Sequence, residues 1–215
     1  MSTPEKQSKT ARILIVLVLA VLATAAGIWS ASIILDRRVN LEELEAIRFP
    51  VARQLPPFEL VDHNNQVFNE DALRGRWSFL FFGYTHCPDV CPTTLSVLNS
   101  VAHRLQDLEA DIRFVFVSVD PERDTPEVLA RYVGYFNGDF IGVTGTEQQI
   151  AQFTRELGIM HMRVAAEENT SDYLVDHSAS VLLIDPDGRY HAVFSPPLAA
   201  GKISDDFRKI LEAYR

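Results

Sequence analysis

The sequence predicts an α/β domain built on a central mixed sheet flanked by helices, preceded by one N-terminal transmembrane helix. Three observations carry that prediction. Two largely apolar runs, Phe79 to Tyr84 within the strand Trp77 to Tyr84 and Ile112 to Val119, have the character of strands buried on both faces of a parallel sheet, and the segment between them has helical periodicity. Further along, caps and turns recur at the spacing of alternating helices and strands. Near the start, Ile13 to Leu35 runs for 23 residues without a charged side chain, long enough to cross a bilayer.

In chain order, Lys6, Lys9 and Arg12 precede that apolar run, which places the N-terminus in the cytosol and exports the rest of the chain. An uncleaved anchor is the favoured reading, with Arg37 and Arg38 after the run weakening the charge asymmetry. The alternative is a shorter signal core cleaved near Ala23-Thr24-Ala25. Residues 1–38 are thus read as cytoplasmic tail and anchor. Residues 39–57, charged and then bearing Pro50, Pro56 and Pro57, are read as a linker, and residues 58–215 as the folded domain. About 175 residues after the anchor suffice for one domain with a sizeable core.

Net charge is −9, and residues 1–38 hold five basic and two acidic side chains, so the remainder carries −12. So acidic a domain is a poor nucleic-acid binder. An ordinary solvated acidic surface explains the charge better than a dedicated basic partner or cation does.

Within the domain, Phe58 to Val61 and Gln66 to Phe68 flank Asp62-His63-Asn64-Asn65 as a small hairpin. Trp77 to Tyr84 is a strand, Leu95, Leu98, Ala102 and Leu105 stripe a helix running from Pro92 to about Leu108, and Ile112 to Val119 is the parallel partner strand. Thr125-Pro126-Glu127 opens another helix by cap and proline. A short strand is expected near Phe140, and Thr146 with Gln149 forms a capping box for a helix ending near Gly158. Ala179 to Ile184 and Tyr190 to Phe194 flank the turn Asp185-Pro186-Asp187-Gly188. The last helix carries Phe207, Ile210, Leu211 and Tyr214 on one face. The order βαβ, helix, hairpin, helix is thioredoxin-like.

The chain has two cysteines, Cys87 and Cys91, placed at the mouth of the first buried strand as Cys87-Pro88-Asp89-Val90-Cys91-Pro92. Each proline biases the preceding cysteine toward extended backbone, and Pro92 suits the first helical position, so both sulfurs are expected on a loop capping the helix. A helix N-terminus stabilises thiolate and lowers cysteine pKa. In an exported domain the pair can also be oxidised to a disulfide.

Three segments resemble the signatures of the Sco/SenC family: Phe82-Gly83-Tyr84-Thr85-His86-Cys87-Pro88-Asp89-Val90-Cys91-Pro92, Ser118-Val119-Asp120-Pro121-Glu122-Arg123-Asp124-Thr125-Pro126, and Asp176-His177-Ser178. The resemblance implies a membrane-tethered thioredoxin-like domain that binds copper, as Cu(I) or Cu(II), through Cys87, Cys91 and His177. It implies that this domain helps assemble the copper site of cytochrome c oxidase. The implied partners are the copper-bearing oxidase subunit or another copper chaperone, and the membrane through the N-terminal helix, with no nucleic acid. The implied location is the bacterial inner membrane facing the periplasm, or the mitochondrial inner membrane facing the intermembrane space.

Donor chemistry agrees with that ligand set. Soft thiolates suit Cu(I), an imidazole suits either oxidation state, and three ligands leave a position open for transfer. Structural zinc normally takes four closed ligands, which would require recruiting His86 or a carboxylate, so zinc is the weaker assignment. A polar, irregular loop over Glu167 to Asp176 is expected to carry His177 to the thiols. Asp176 is read as a solvated acid rather than an acceptor for the imidazole, and His86 as pointing away from Cys87. Asp89 either steers a partner or caps the turn. The segment Asp120 to Asp124 lies where sites gather in parallel sheets, although capping the next helix explains it almost as well. Met160-His161-Met162 would suit copper, but strand alternation favours core packing by both methionines.

The rival function is thiol–disulfide oxidoreductase, one thiolate attacking a partner disulfide and the other resolving the mixed species. The three-residue spacing and the redundancy of His177 in such exchange favour metal. A peroxidase reading is weaker, since Tyr84 stands where such enzymes of this fold place threonine. Redox or copper sensing is a third class.

Overall fold

A computed structural model describes residues 4–36, 44–165 and 173–214, and within the first stretch the side chains of residues 14–30. The chain divides into one unit over residues 44–208 and another made of residues 1–43 with 209–215.

The N-terminal unit contains helix α1 (Pro4–Asp36). Its described side chains are uncharged, with Leu14, Val18, Leu22, Ile28 and Trp29 each more than half exposed. Among the described residues no helix is long and apolar enough to cross a membrane. Side chains 14–30 rise about 26 Å at 1.5 Å per residue, short of a hydrocarbon core of about 30 Å. The rest of the expected span, Ile13 and residues 31–35, lies outside the described side chains.

The larger unit is built on an eight-stranded mixed sheet. Its strands are β1 (Ile47–Gln54), β2 (Glu59–Asp62), β3 (Val67–Asn69), β4 (Trp77–Gly83), β5 (Ile112–Ser118), β6 (Ile141–Thr144), β9 (Val181–Ile184) and β10 (Arg189–Phe194), in spatial order β1-β10-β9-β4-β5-β6-β2-β3. Between β6 and β9 in the chain, β7 (His161–Ala165) and β8 (Tyr173–His177) form a separate two-stranded ribbon. Strands β4, β5 and β6 are parallel, and β9 and β2 join them antiparallel on either side. Helices α2 (Glu70–Leu73), α3 (Val90–Arg104), α4 (Pro126–Phe136), α5 (Glu147–Leu157) and α6 (Ala200–Tyr214) complete the thioredoxin-like arrangement.

Strand β4 is central, and all seven of its residues are buried. Phe79, Phe81 and Phe82 are fully enclosed, each burial worth about 2–3 kcal/mol. Phe79 stacks on Phe114 of β5 at 5.0 Å between ring centroids and meets Phe207 of α6 at 5.3 Å. The βαβ unit predicted from the two apolar runs is thus the rigid centre of the domain. It ends β4 and β5 side by side, Gly83 opposite Ser118.

Caps behave as the sequence predicts. Thr125 accepts from the Val128 amide at the start of α4, and Thr146 and Gln149 bond reciprocally at the start of α5. Gly158 closes α5 in the left-handed conformation at φ 72°, where a side chain would be strained.

Two expectations differ. Residues 47–54, inside the stretch read as a linker, form β1, paired antiparallel with β10. Pro50 is compatible because an edge strand has one row of backbone groups without ladder partners, and the pairing register shifts between Arg48 and Arg53. Helix α3 begins at Val90, before Pro92, and ends at Arg104 rather than near Leu108. Pro92 is accommodated at the third helical position, since amides of the first turn have no partner inside the helix.

Candidate metal centre

The carboxyl end of β4 delivers the two cysteines. Tyr84 is buried, the Cys87 amide donates to the Tyr84 carbonyl at 3.2 Å, and the chain turns directly into α3. Because α3 starts at Val90, Cys91 lies within its first turn and is fully buried, while Cys87 stands before the helix and is half-buried. This corrects the expectation that both sulfurs sit on the capping loop. The Cys91 amide donates to Cys87 Sγ at 3.4 Å, so the helix terminus faces the outer sulfur. Gly83 is required here by space. A Cβ at that position would lie 2.7 Å from Cys91 Sγ and 2.7 Å from the Phe116 ring.

His177 arrives on the separate ribbon, where β7 pairs antiparallel with β8. The expected irregular loop over Glu167 to Asp176 is therefore strand from Tyr173 onward, and residues 166–172 lie outside the described residues. The ribbon's inner face is set by Val175, which is buried, and His177 shares that face by the alternation of a strand. Phe81 and Tyr84 wall the imidazole, with ring centroids 6.2 and 5.9 Å away.

Together Cys87 Sγ, Cys91 Sγ and one imidazole nitrogen of His177 lie within 4.8 Å of one another. His177 Nε2 is 3.3 Å from Cys91 Sγ. Its Nδ1 lies 3.2 Å from the Ser178 carbonyl, which can only accept, so Nδ1 carries the proton and Nε2 turns its lone pair to the sulfurs. Burial holds the His177 pKa below the ordinary histidine value, against the Ser178 carbonyl and Asp176, which raise it. Burial likewise pushes the Cys91 thiol well above the ordinary cysteine range, with Cys87 adding to the effect. For Cys91, desolvation therefore outweighs the helix terminus that was expected to lower it. With the Nδ1 proton turned to Ser178, Nε2 is placed to accept from the Cys91 thiol.

The segment after β5 clamps both halves of this arrangement. Asp124, fully buried, accepts from the Thr85 amide at 3.0 Å, the Thr85 hydroxyl at 2.6 Å and the Ser118 hydroxyl at 2.6 Å, fixing the approach to Cys87. Asp120, also fully buried, pairs with Arg123 and accepts from the Tyr173 hydroxyl at 2.6 Å. Arg123 lies 3.7 Å from the Tyr173 ring centroid and donates to the Tyr173 carbonyl at 3.2 Å. Glu122 pairs with Arg163 of β7 at 3.0 Å. Helix capping falls to Thr125, so these acids organise the site rather than the helix. Thr85 and Tyr173 escaped sequence reasoning, and the signal lay in their adjacency to Cys87 and to the acidic stretch before His177.

Other candidates stand apart. His86 is exposed and lies 3.2 Å from the Thr85 hydroxyl, outside the group of three. Asp89 is the N-cap residue of α3, its carboxylate accepting from the Thr93 hydroxyl at 3.4 Å. Asp176 is exposed, and the backbone of Ser178 orients the imidazole in its place. Met160 and Met162 are 78% and 64% exposed, which overturns the expectation of core packing. Among the described residues the ribbon pairs only with itself.

Two sulfurs and one imidazole nitrogen form a soft donor set that suits copper, and among the described residues no fourth His, Cys, Asp or Glu joins it to close a tetrahedral zinc site. A family model described as SCO1/SenC matches residues 50–212. A SCO2-like protein of Rickettsia prowazekii is 42% identical over 152 residues, 71% of this chain and 74% of that protein. The mitochondrial protein SCO2 homolog of Bos taurus is 37% identical over 185 residues, 84% of this chain and 68% of that protein. Among solved structures, Arabidopsis thaliana ScoI with copper bound superposes with a TM-score of 0.68 at 34% identity, covering 73% of this chain and 98% of that one.

Proposed function

Because the chain belongs to the SCO1/SenC family, we propose that it is a membrane-anchored metallochaperone that carries copper as cargo on Cys87, Cys91 and His177. The acceptor in this reading is the copper-bearing subunit of cytochrome c oxidase or another copper chaperone. The observation that carries the reading is the convergence of two sulfurs and a lone-pair-bearing Nε2 within 4.8 Å, drawn from two elements far apart in the chain. Three ligands leave copper open to attack by an acceptor's donors, which suits transfer more than storage. The copper-bound Arabidopsis relative supports the choice of metal.

The same proposal takes Ile13 to Leu35 as the anchor, with the domain held at the outer face of a bacterial inner membrane or in the mitochondrial intermembrane space. Copper titration of the full chain tests the central claim. Wild type should bind one tight equivalent that both His177→Ala and Cys87→Ser weaken, whereas tight binding indifferent to His177 would sink it.

One observation favours a second reading, thiol exchange. Both thiols are free, and Cys87 is half-buried with the Cys91 amide donating to its sulfur. As thiolate, Cys87 would attack a partner disulfide, release one partner sulfur as thiolate, and be resolved by Cys91 with reduction of the partner. Trapping of a mixed disulfide by Cys91→Ser, unaffected by His177→Ala, would favour this reading.

A further inference from the structure

Met160, His161 and Met162 take no part in the centre described above. All three line one cavity of about 840 Å³ that is also walled by Asp176, His177 and Ser178. His161 stands directly across the ladder from His177, so the two imidazoles share a face of the ribbon with Cβ atoms about 5 Å apart. The Ser178 amide donates to the Met160 carbonyl at 3.1 Å, which fixes Met160 at the foot of the ribbon, just ahead of the regular alternation of β7. Met162 lies opposite Asp176. Strand alternation alone would put Met162 and His161 on opposite faces, but β7 pairs only with β8 and leaves its other edge open among the described residues. A methionine side chain has three rotatable bonds with which to reach round such an edge.

Packing does not account for these methionines. Burying one is worth about 1.5–3 kcal/mol, yet both methionines stay mostly exposed, at alternate positions beside a cavity. Thioether sulfur and imidazole nitrogen together are soft donors suited to Cu(I). Arg155 and Asp176 both reach the cavity wall and offset one another, so the lining does not repel a cation.

We propose that Met160, His161 and Met162 form a second, weaker Cu(I) site, a station from which copper passes to or from the Cys87, Cys91 and His177 centre. The site stands on its own donors, and its role in transfer rests on the chaperone reading. Passage is ligand exchange. Bonds to neutral thioether and imidazole break as bonds to sulfur form, copper keeps its oxidation state, and each thiol that takes up the metal releases its proton to water. Neutral donors hold Cu(I) less tightly than thiolates do, so transfer toward the cysteines runs downhill.

The chain has three methionines, so NMR of methyl-labelled methionine reads the site directly. In detergent-solubilised full chain titrated anaerobically with Cu(I), the first equivalent should protect the thiols from alkylation. The second should shift the ε-methyl resonances of Met160 and Met162 and leave Met1 unmoved. The exposed pair tolerates Met160→Leu with Met162→Leu, which should remove the second equivalent and leave the first. In Cys87→Ser with Cys91→Ser, the methyl shifts should move to the first equivalent. Methyl resonances that stay put through two equivalents overturn the station. Methyls that shift at the first equivalent while the wild-type thiols stay alkylatable uphold it and overturn the chaperone reading instead.

Discussion

The Tyr173 hydroxyl donates to the Asp120 carboxylate across 2.6 Å, joining the ribbon that carries His177 to the end of the strand beside the cysteines. Asp120 is fully buried and already paired with Arg123, whose guanidinium in turn lies against the Tyr173 ring. The imidazole and the thiols therefore share a frame through one short acidic segment, although Cys91 and His177 are 86 residues apart in sequence.

Tyr173→Phe keeps the ring under Arg123 and deletes the bond to Asp120. Loss of one hydrogen bond to a buried, charged acceptor costs about 1.5–3 kcal/mol of stability. The larger expected effect is on copper, because the ribbon then holds His177 less firmly. Copper affinity should fall while the alkylation rate of Cys87 stays unchanged. Equal loss at both would mean that Tyr173 supports the whole fold and not the ribbon alone.

Asp124, fully buried, gathers three donors. Asn at that position keeps the size and can keep its oxygen toward the Thr85 amide and the Ser118 hydroxyl, but its NH2 then faces the Thr85 hydroxyl, which must turn to accept, and the charge that the donors stabilise is lost. Urea unfolding of Asp124→Asn should show a loss of about 3 kcal/mol, the cost of opening a buried network. A shift of the midpoint under a quarter of that size would show that the Thr85 contact is dispensable.

Two glycines give an internal contrast. Gly83→Ala drives a Cβ against Cys91 Sγ and Phe116, and should cost about 1–3 kcal/mol and displace the inner sulfur. Gly134, inside α4 with open space for 4 Å around the place a Cβ would take, should gain about 0.5–1 kcal/mol as alanine through helix propensity. Thermal melts of the two variants should move in opposite directions, and copper binding should suffer in Gly83→Ala alone.

What the sequence made legible was set by how uniform each signal was. The largely apolar β4, the proline and threonine caps of α4 and the capping box of α5 each admit one local reading, and the structure has them at the expected places. The ribbon was hidden because Tyr173-Leu174-Val175-Asp176-His177 buries only Val175, and β7 mixes an arginine and a methionine with apolar residues, so neither strand shows clean alternation. For the same reason Met160 and Met162 were assigned to a core that the ribbon does not have. The approach of His177 to the cysteines was expected from the family resemblance. The buried roles of Asp120 and Asp124 were not, since an acid after a strand and before a helix has the sequence signature of a cap.

Cysteine reactivity separates the two sulfurs. Cys91 is fully enclosed and its thiol pKa is raised by burial, and each unit of that shift cuts the thiolate fraction about tenfold. Iodoacetamide at pH 8 should therefore modify Cys87 first, with Cys91 slower by more than about tenfold. Comparable rates, read by mass spectrometry of the digested chain, would show that the first turn of α3 opens in solution.

Stability of the apo domain should fall off on both sides of neutrality. Burial lowers the pKa of His177, and of His161 as well, so the unfolded chain binds more protons than the folded one once pH drops below about 6.5. Their contribution is fully present above that value and is lost toward the lower folded pKa. Cys91 has the opposite sign. Its raised folded pKa gives a contribution that is complete below the unfolded cysteine value near 8.5 and is lost as pH climbs above it. Each group limits the slope to about 1.4 kcal/mol per pH unit, so denaturant midpoints should form a plateau from about pH 6.5 to 8.5 with a fall at either end. Cys91→Ser should flatten the alkaline fall and leave the acid one, and His177→Asn should soften the acid fall and leave the alkaline one. An alkaline fall that persists in Cys91→Ser would place the burden on another group and refute the burial argument for the inner thiol.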